Sequence, residues 1–233
     1  DQVRALIRLG RFRFILAGFL LYCLGSLWAL YQDFPPNFNS FMAGYLILFP
    51  AHLSVSYSND YFDRDSDRAG LSGPVSGGSG VLQEHPELAG WARGFALALI
   101  TASRMLGIFF AFLNVIDWWF LSFILAGNVI GWFYSAPPLR LCRTGFGEAA
   151  MAVTMGFLFP GLGYYMIRGG FDIGFLAIAI PLFFYGYFFM IAVDSFAMII
   201  LFRLYEGKVV NATETRFTSC IGYLYLNLFI NDL

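Results

Sequence analysis

Six apolar runs of membrane-spanning length dominate the sequence. They cover approximately residues 14–31, 41–58, 88–113, 118–134, 149–167 and 174–193. A helix needs about 20 mostly apolar residues to cross a bilayer, and each run reaches or approaches that length. Only 12% of the residues are charged, against about 25% in ordinary soluble domains. The runs therefore predict an all-α bundle of transmembrane helices, forming a single domain over residues 1–233.

Basic residues lie mainly on one side of these runs. Those before the first run, between the second and third, and between the fourth and fifth are Arg4, Arg8, Arg11, Arg13, Arg64, Arg68, Arg93, Arg140 and Arg143. The opposite loops near Asp33, Asp117 and Asp172 contribute only Arg168. Because short cytoplasmic loops retain Lys and Arg, we expect an integral protein of the cell membrane with a cytoplasmic N-terminus.

The net charge argues against a nucleic-acid partner, and the cysteine spacing argues against disulfides and zinc. The formal net charge is -1, and no basic face large enough for nucleic acid exists. The three cysteines, Cys23, Cys142 and Cys220, are isolated and form no CxxC pair. This spacing argues against a disulfide framework or a zinc site and indicates buried free thiols.

A cluster of aspartates directly follows the second apolar run, in the segment "NDYFDRDSDR" at residues 59–68. If the helix continues through this segment, Asn59, Asp63 and Asp67 project from one face, with Asp60 beside them. Like charges at this spacing repel one another. We therefore expect a positive partner for the cluster.

Magnesium is the partner that this residue set favours. Arg64 and Arg68 balance only two of the segment's four carboxylates, and no lysine is nearby. Oxygen ligands without His or Cys favour Mg²⁺ over zinc or copper. Because Mg²⁺ often completes its shell with phosphate oxygens, the cluster predicts a phosphorylated substrate with a lipid tail. The alternative is a solvated acidic loop; an EF-hand is excluded because its glycine and glutamate are missing.

The segment that follows, "AGLSGPVSGGSGVLQEHPE", is rich in Gly and Ser and carries two prolines. Such a composition predicts an irregular loop. Its position after the aspartates leaves two interpretations open, a flexible linker or a lid over a site.

Three segments resemble the UbiA superfamily of intramembrane prenyltransferases. "NDYFDRDSDR" resembles that family's NDxxDxxxD motif, and "YSAPPLRL" at residues 134–141 resembles its tyrosine-and-proline loop after the fourth span. "GFGEAAMAVTMGFLFPGLGYY" resembles the glycine-rich fifth span. The resemblance covers residues 1–193, and "SGGSGVL" at residues 76–82 is most similar to the menaquinone-type branch.

This resemblance implies a bundle of about eight to nine helices around a cavity on the cytoplasmic side. In that family, Mg²⁺ held by aspartates binds the diphosphate of a polyprenyl donor. The prenyl group passes to an acceptor, usually an aromatic ring as in quinone biosynthesis. Archaeal relatives in isoprenoid metabolism instead prenylate a glycerol-phosphate lipid, and this alternative stays open.

The resemblance also assigns roles to individual residues. The implied metal ligands are Asn59, Asp60, Asp63, Asp67 and Asp194. Among these, Asp63, Asp67 and Asp194 are implied to be catalytic. The implied contacts to the donor substrate are Arg68, Tyr134, Ser135 and Arg140.

One departure from the family concerns its second aspartate motif, DxxxD followed by GK, after the sixth span. The corresponding segment is "MIAVDSFAMIILFRLYEGK", in which Asp194 stands alone. Either the second metal site is degenerate or a segment is missing from the sequence.

Two other classes of membrane protein also use aspartates. A divalent-cation transporter is the main rival, although its site belongs near the bilayer midplane on broken helices, whereas this cluster follows a helix at the interface. A CDP-alcohol phosphotransferase is disfavoured because the sequence has no DGxxAR run.

Overall fold

The computed structural model describes residues 2–67 and 78–204, without the side chains of Arg13, Ser66, Asp67 and residues 193–204. These ranges are helical and contain no β-strand. The α-helices are α1 (Gln2–Leu9), α2 (Phe12–Tyr31), α3 (Phe38–Asp67), α4 (Val81–Glu84), α5 (Ala89–Phe112), α6 (Phe120–Phe133), α7 (Gly147–Val153), α8 (Phe159–Arg168) and α9 (Ile173–Leu204). Each of the six predicted runs coincides with a helix or a continuous helical segment.

Five segments within the described ranges are long and apolar enough to cross a membrane. They are Gln2–Tyr31, Phe38–Asp65, Pro86–Phe112, Gly147–Arg168 and Ile173–Ala192. Helix α6 is apolar but has only 14 residues. The prediction of an all-helical fold is thus confirmed for the described residues, and the five segments are consistent with a membrane protein. A total of eight to nine helices stays a prediction.

The outer surface of the bundle is apolar. Trp91, Phe112 and Phe188 are each more than 60% exposed. Large aromatic side chains in such numbers at a surface suit contact with lipid. The exposed aromatic side chains therefore suit contact with lipid on the outside of the bundle.

Close contact between α2 and α8 depends on glycine. A Cβ atom on Gly25 would collide with the carbonyl of Pro160, and one on Gly163 with the carbonyl of Tyr22. The Ser26 hydroxyl also donates a hydrogen bond of 3.1 Å to the Gly163 carbonyl. Small residues allow membrane helices to approach closely and pack well. The "glycine-rich" character of the predicted fifth span thus has a packing role.

A π-helical turn, Thr154–Leu158, connects α7 to α8. Pro160 follows it in the first turn of α8. A proline has no N–H to donate and its ring crowds the carbonyl four residues earlier, so the regular α-helical hydrogen-bond ladder is interrupted at this point. Turns of the π type are common where helices carry functional sites.

Polar side chains tie the helix ends together at the end of the bundle far from the aspartate segment. The Tyr164 hydroxyl lies 2.7 Å from Oε1 of Gln32 and 2.8 Å from Oδ1 of Asp172. Arg168 forms an ion pair of 2.7 Å with Asp172. These contacts join the end of α2 to the connection between α8 and α9.

Helix α9 continues without interruption from Ile173 to Leu204. It therefore extends past Asp194 and includes most of the short apolar segment that follows the sixth run.

Candidate functional site

Helix α3 carries the aspartate segment as far as Asp67. The expected continuation of this helix is confirmed. No glycine or proline occurs between Ala51 and Asp67, so nothing in the local sequence ends the helix earlier. Helical spacing places Asn59 and Asp63 on the same face.

Asp63 is a buried carboxylate, and two of its partners lie after α6. It is 6% exposed. The Ser135 hydroxyl donates a 2.6 Å hydrogen bond to its Oδ2, and Nη2 of Arg143 lies 3.2 Å from its Oδ1. Ser135 and Arg143 both follow α6, so the "YSAPPLRL" segment and the aspartate segment meet at one point. The sequence predicted both segments as parts of one site but did not predict this contact.

Asp60 is also buried, at 4% exposure. Nη1 of Arg11 lies 3.9 Å from its Oδ1, and the backbone N–H of Ser79 donates a 3.3 Å hydrogen bond to the same oxygen. Arg11, between α1 and α2, has a positive φ of 47°. This left-handed conformation is uncommon outside glycine. The chain thus changes direction at Arg11, close to the carboxylate.

Arginines from other parts of the chain supply much of the expected positive charge. Arg143 pairs with Asp63, and Arg11 approaches Asp60. Arg64 instead lies 3.6 Å from Asp65, whose side chain is 73% exposed. In the sequence, Arg11 and Arg143 served only as evidence for the orientation of the chain in the membrane. Charge balance alone therefore does not require a metal ion here.

Asn59 provides a more specific indication of metal binding. Its Oδ1 atom is buried and has no hydrogen-bond partner among the described residues. A buried amide oxygen without a partner costs about 1–3 kcal/mol. Amide and carboxylate oxygens are the ligands that Mg²⁺ takes in proteins. The oxygen of Asn59 and the carboxylate of Asp63 therefore fit the metal ion that the resemblance implies.

The described side chains include no group of three or more His, Cys, Asp or Glu residues that could hold a metal. The described side chains do not include those of two predicted ligands, Asp67 and Asp194. The side chains of Asp67, at the end of α3, and of Asp194, in α9, lie outside the described part of the chain, as does all of Arg68. Their roles stay predictions.

Two of the predicted substrate contacts, Tyr134 and Arg140, lie in different surroundings. Tyr134, at the end of α6, lines an apolar cavity. Arg140 is exposed and has a positive φ of 44°. Arg143, three residues later, is the arginine of this loop that pairs with Asp63. A role for Arg140 in binding substrate stays a prediction.

An apolar cavity of about 160 Å³ begins beside Asn59 and Tyr134. Its walls come from α3, α5, α6 and the α7–α8 segment, and the π turn contributes Thr154 and Leu158. Phe123 and Phe159 are further aromatic wall residues. A polar group at Asn59 and an apolar group in the cavity could therefore belong to a single bound molecule.

Sequence reasoning missed two polar residues in this cavity. His52 on α3 packs its ring 4.7 Å from the ring of Phe159, and Asn128 on α6 is 4% exposed. Both line the cavity. Neither residue was predicted to belong to the site. The sequence signal for Asn128 was a single amide within an apolar run. Such a residue is informative because polar residues inside membranes often mark functional sites.

The end of the Gly- and Ser-rich loop packs against the aspartate end of α3. Besides the contact of Ser79 with Asp60, Nε2 of Gln83 donates a hydrogen bond of 3.2 Å to the Arg64 carbonyl. Val81 is fully buried. Residues 78–84 are therefore an ordered part of the site's wall, although residues 68–77 lie outside the described ranges.

Comparisons of the chain with protein-family models, with curated proteins and with solved structures found no match.

Proposed function

We propose that this chain is a Mg²⁺-dependent membrane prenyltransferase that transfers a polyprenyl group from a polyprenyl diphosphate to an acceptor. The observation that carries the proposal is the meeting of Asp63, Ser135 and Arg143 beside an apolar cavity that starts at Asn59. This arrangement combines oxygen ligands, a cationic group and a place for a hydrocarbon. A lipid diphosphate needs all three.

The donor's two parts suit different parts of the site. Arginine is well adapted to phosphate oxygens because its guanidinium can donate two parallel hydrogen bonds. Arg143 is 31% exposed at its side chain, so it can serve a ligand as well as Asp63. The allylic end of the prenyl chain would enter the cavity of about 160 Å³, where burial of each CH₂ group contributes about 0.8 kcal/mol.

The reaction begins when the bond between the first prenyl carbon and the diphosphate oxygen breaks, and the diphosphate leaves with the electron pair. The acceptor then bonds to the allylic carbon and loses a proton. Mg²⁺, when bound, supplies charge stabilisation on the leaving diphosphate. Asn59 and Asp63 would hold it, with the undescribed side chain of Asp67 as the further predicted ligand.

The chain's own residues have three tasks in this reaction. Ser135 fixes the Asp63 carboxylate through its 2.6 Å hydrogen bond, which keeps the binding geometry organised before substrate arrives. The apolar wall excludes water that would capture the carbocation. The ring faces of Phe123, Tyr134 and Phe159 can attract a cation within the cavity.

The orientation proposed for this site is cytoplasmic. Arg11 and Arg143, which reach the carboxylates, belong to the basic loops that the distribution of arginines assigns to the cytoplasm. We further propose an aromatic acceptor as in quinone biosynthesis, with a glycerol-phosphate lipid as the alternative acceptor. A panel of dihydroxynaphthoate, hydroxybenzoate and a glycerol-phosphate lipid distinguishes these.

The test is diphosphate release from geranylgeranyl diphosphate by the purified protein, with and without Mg²⁺ and with each acceptor. Asp63→Asn is expected to lower the rate at least about 100-fold, because it removes a carboxylate that would hold the Mg²⁺ that stabilises the leaving diphosphate. Asp65→Asn is the matched control from the same helix turn, with an exposed side chain, and should retain the wild-type rate. Equal rates for both variants would contradict the assignment of Asp63.

A further inference from the structure

Two arginines from different helices meet at one tyrosine near the aspartate end of α3. The guanidinium carbon of Arg64, on α3, lies 4.6 Å from the centre of the Tyr61 ring, and that of Arg93, on α5, lies 5.8 Å from the same centre. Both guanidinium groups also interact with the Tyr61 hydroxyl. These three side chains form a tyrosine–arginine cluster between α3 and α5.

The tyrosine–arginine cluster lies apart from the carboxylate site. Tyr61 precedes Asp63 by two residues, and each residue of an α-helix turns by about 100°, so the two side chains leave α3 about 200° apart. Asp63 contacts Ser135 and Arg143, whereas Tyr61 contacts Arg93 on α5. A ligand of the cluster would therefore be distinct from the diphosphate of the proposed reaction.

The cluster retains positive charge within the described part of the chain. Arg93 is exposed and forms no ion pair with a described carboxylate. Nε of Arg64 lies 3.6 Å from Oδ1 of Asp65, whose side chain is 73% exposed, and such exposed pairs contribute little. The loop that follows, residues 68–77, contains no carboxylate in its sequence. The cluster therefore favours an anionic ligand.

A guanidinium group placed over an aromatic ring keeps its hydrogen-bond donors available. The ring contact uses the face of the planar group, whereas the five N–H donors lie in its plane. This arrangement matches phosphate oxygens, to which a guanidinium can donate two parallel hydrogen bonds. The Tyr61 hydroxyl is a further donor. Phosphate is therefore the anionic group that the cluster fits best.

The cluster lies at the level expected for lipid headgroups. The segment Pro86–Phe112 has 27 residues and is about 40 Å long as a helix, against about 30 Å for the hydrocarbon core of a bilayer. Its first two turns, which end near Arg93, can therefore lie among the headgroups. Trp91, at 63% exposure, is of the residue type that concentrates at this interface, and Arg64 lies one residue before the end of the segment Phe38–Asp65.

The surface of α5 beside the cluster can accommodate hydrocarbon chains. A Cβ atom on Gly90 or Gly94 would meet nothing within 4 Å, so this surface is open. Leu97, at 43% exposure, and the exposed Ala98 continue it as an apolar surface one turn further along the helix. We propose that the tyrosine–arginine cluster binds the phosphate of an anionic phospholipid, whose acyl chains lie along this surface of α5.

This proposal does not depend on the prenyltransferase assignment, and a lipid-binding assay tests it. The probes are palmitoyl-oleoyl phosphatidylglycerol and phosphatidylcholine, which have the same acyl chains and differ in net charge. Native mass spectrometry of the full chain in detergent gives a dissociation constant for the first bound molecule of each lipid. An arginine near anionic lipid raises the affinity about fivefold. With two arginines, we expect phosphatidylglycerol to bind at least about tenfold more tightly than phosphatidylcholine.

Arg93→Gln is the informative variant because it removes one charge of the cluster at an exposed position. It should weaken the binding of phosphatidylglycerol about fivefold and change that of phosphatidylcholine less than about twofold. Arg4→Gln is the matched control, since Arg4 is also exposed and its substitution changes the net charge equally. The control should keep the wild-type preference. If Arg93→Gln does not fold, Arg64→Gln tests the other guanidinium group of the cluster.

Three results would overturn the proposal. The first is equal affinity of the wild-type protein for the two lipids. The second is an equal loss of phosphatidylglycerol binding in Arg93→Gln and Arg4→Gln, which would indicate diffuse attraction by the basic loops. The third is displacement of the bound phosphatidylglycerol by an excess of sn-glycerol 3-phosphate, which has the phosphate without the acyl chains, because it would identify a water-soluble ligand instead of a lipid.

Discussion

Replacing Arg143 with methionine tests the contact on which the site depends. The variant keeps most of the side chain's apolar length and removes its charge. Asp63, at 6% exposure, then loses its guanidinium partner and keeps the hydrogen bond from Ser135. Breaking a fully buried ion pair costs about 3–5 kcal/mol. Because the Arg143 side chain is 31% exposed and Ser135 remains, we expect a loss of about 2 kcal/mol.

A loss of this size is measurable as a change in thermal unfolding. For a chain of this length, 1 kcal/mol corresponds to about 2–4 °C, so the midpoint should fall by about 4–8 °C in detergent or nanodiscs. Arg140→Met is the matched control, because Arg140 carries the same charge three residues earlier and is exposed. It should change the midpoint by no more than about 1–2 °C.

A double variant distinguishes the energy of the ion pair between Asp63 and Arg143 from the destabilisation that each substitution causes by itself. Combining Asp63→Asn with Arg143→Met removes both charges, so the combined loss should be smaller than the sum of the two single losses by about 1–2 kcal/mol. If Arg143→Met unfolds at the same temperature as Arg140→Met, or if the two single losses simply add, then the pair between Asp63 and Arg143 does not stabilise the protein.

Two further predictions concern parts of the fold away from the site. Gly163→Ala should destabilise the protein by at least about 2 kcal/mol, because its methyl group collides with the Tyr22 carbonyl; Gly94→Ala, which meets nothing within 4 Å, should be neutral or stabilising in the same unfolding assay. The hydrogen bond from Tyr164 holds the pKa of Asp172 below its usual value, so its stabilising contribution is complete above about pH 4 and disappears as pH falls through the lower folded-state pKa. Asp172→Asn should therefore flatten the acid limb of the pH–stability curve, and an unchanged limb would contradict this assignment.

The helices were largely predictable because their signals are local. A run of apolar residues is itself the requirement for spanning a membrane, and all six runs coincide with helices or helical segments. The continuation of α3 through Asp67 followed from helical spacing and the absence of a helix breaker. Helix α9 continues past the sixth run, because residues 193–196 contain no glycine or proline that would end it.

The partners of the site residues were not predictable in the same way. Asp63 meets Arg143 across 80 residues of sequence, and such a contact depends on how α3 and α6 pack. Arg143 and Arg140 are the same residue type and lie in the same loop, so only the folded geometry distinguishes them. The same reason explains Asn128: its polarity is visible in the sequence, but its place in the lining of a cavity is not.

Proteoliposomes containing the purified protein offer the most direct test of the central claim. Diphosphate release from geranylgeranyl diphosphate and Mg²⁺ entry, reported by an internal fluorescent indicator, are measured on the same vesicles with wild-type protein and Asp63→Asn. The account predicts Mg²⁺-dependent diphosphate release with at least one acceptor, abolished by the substitution, and no Mg²⁺ entry above that of empty vesicles. Mg²⁺ entry that depends on Asp63, without diphosphate release, would contradict it and identify a cation transporter.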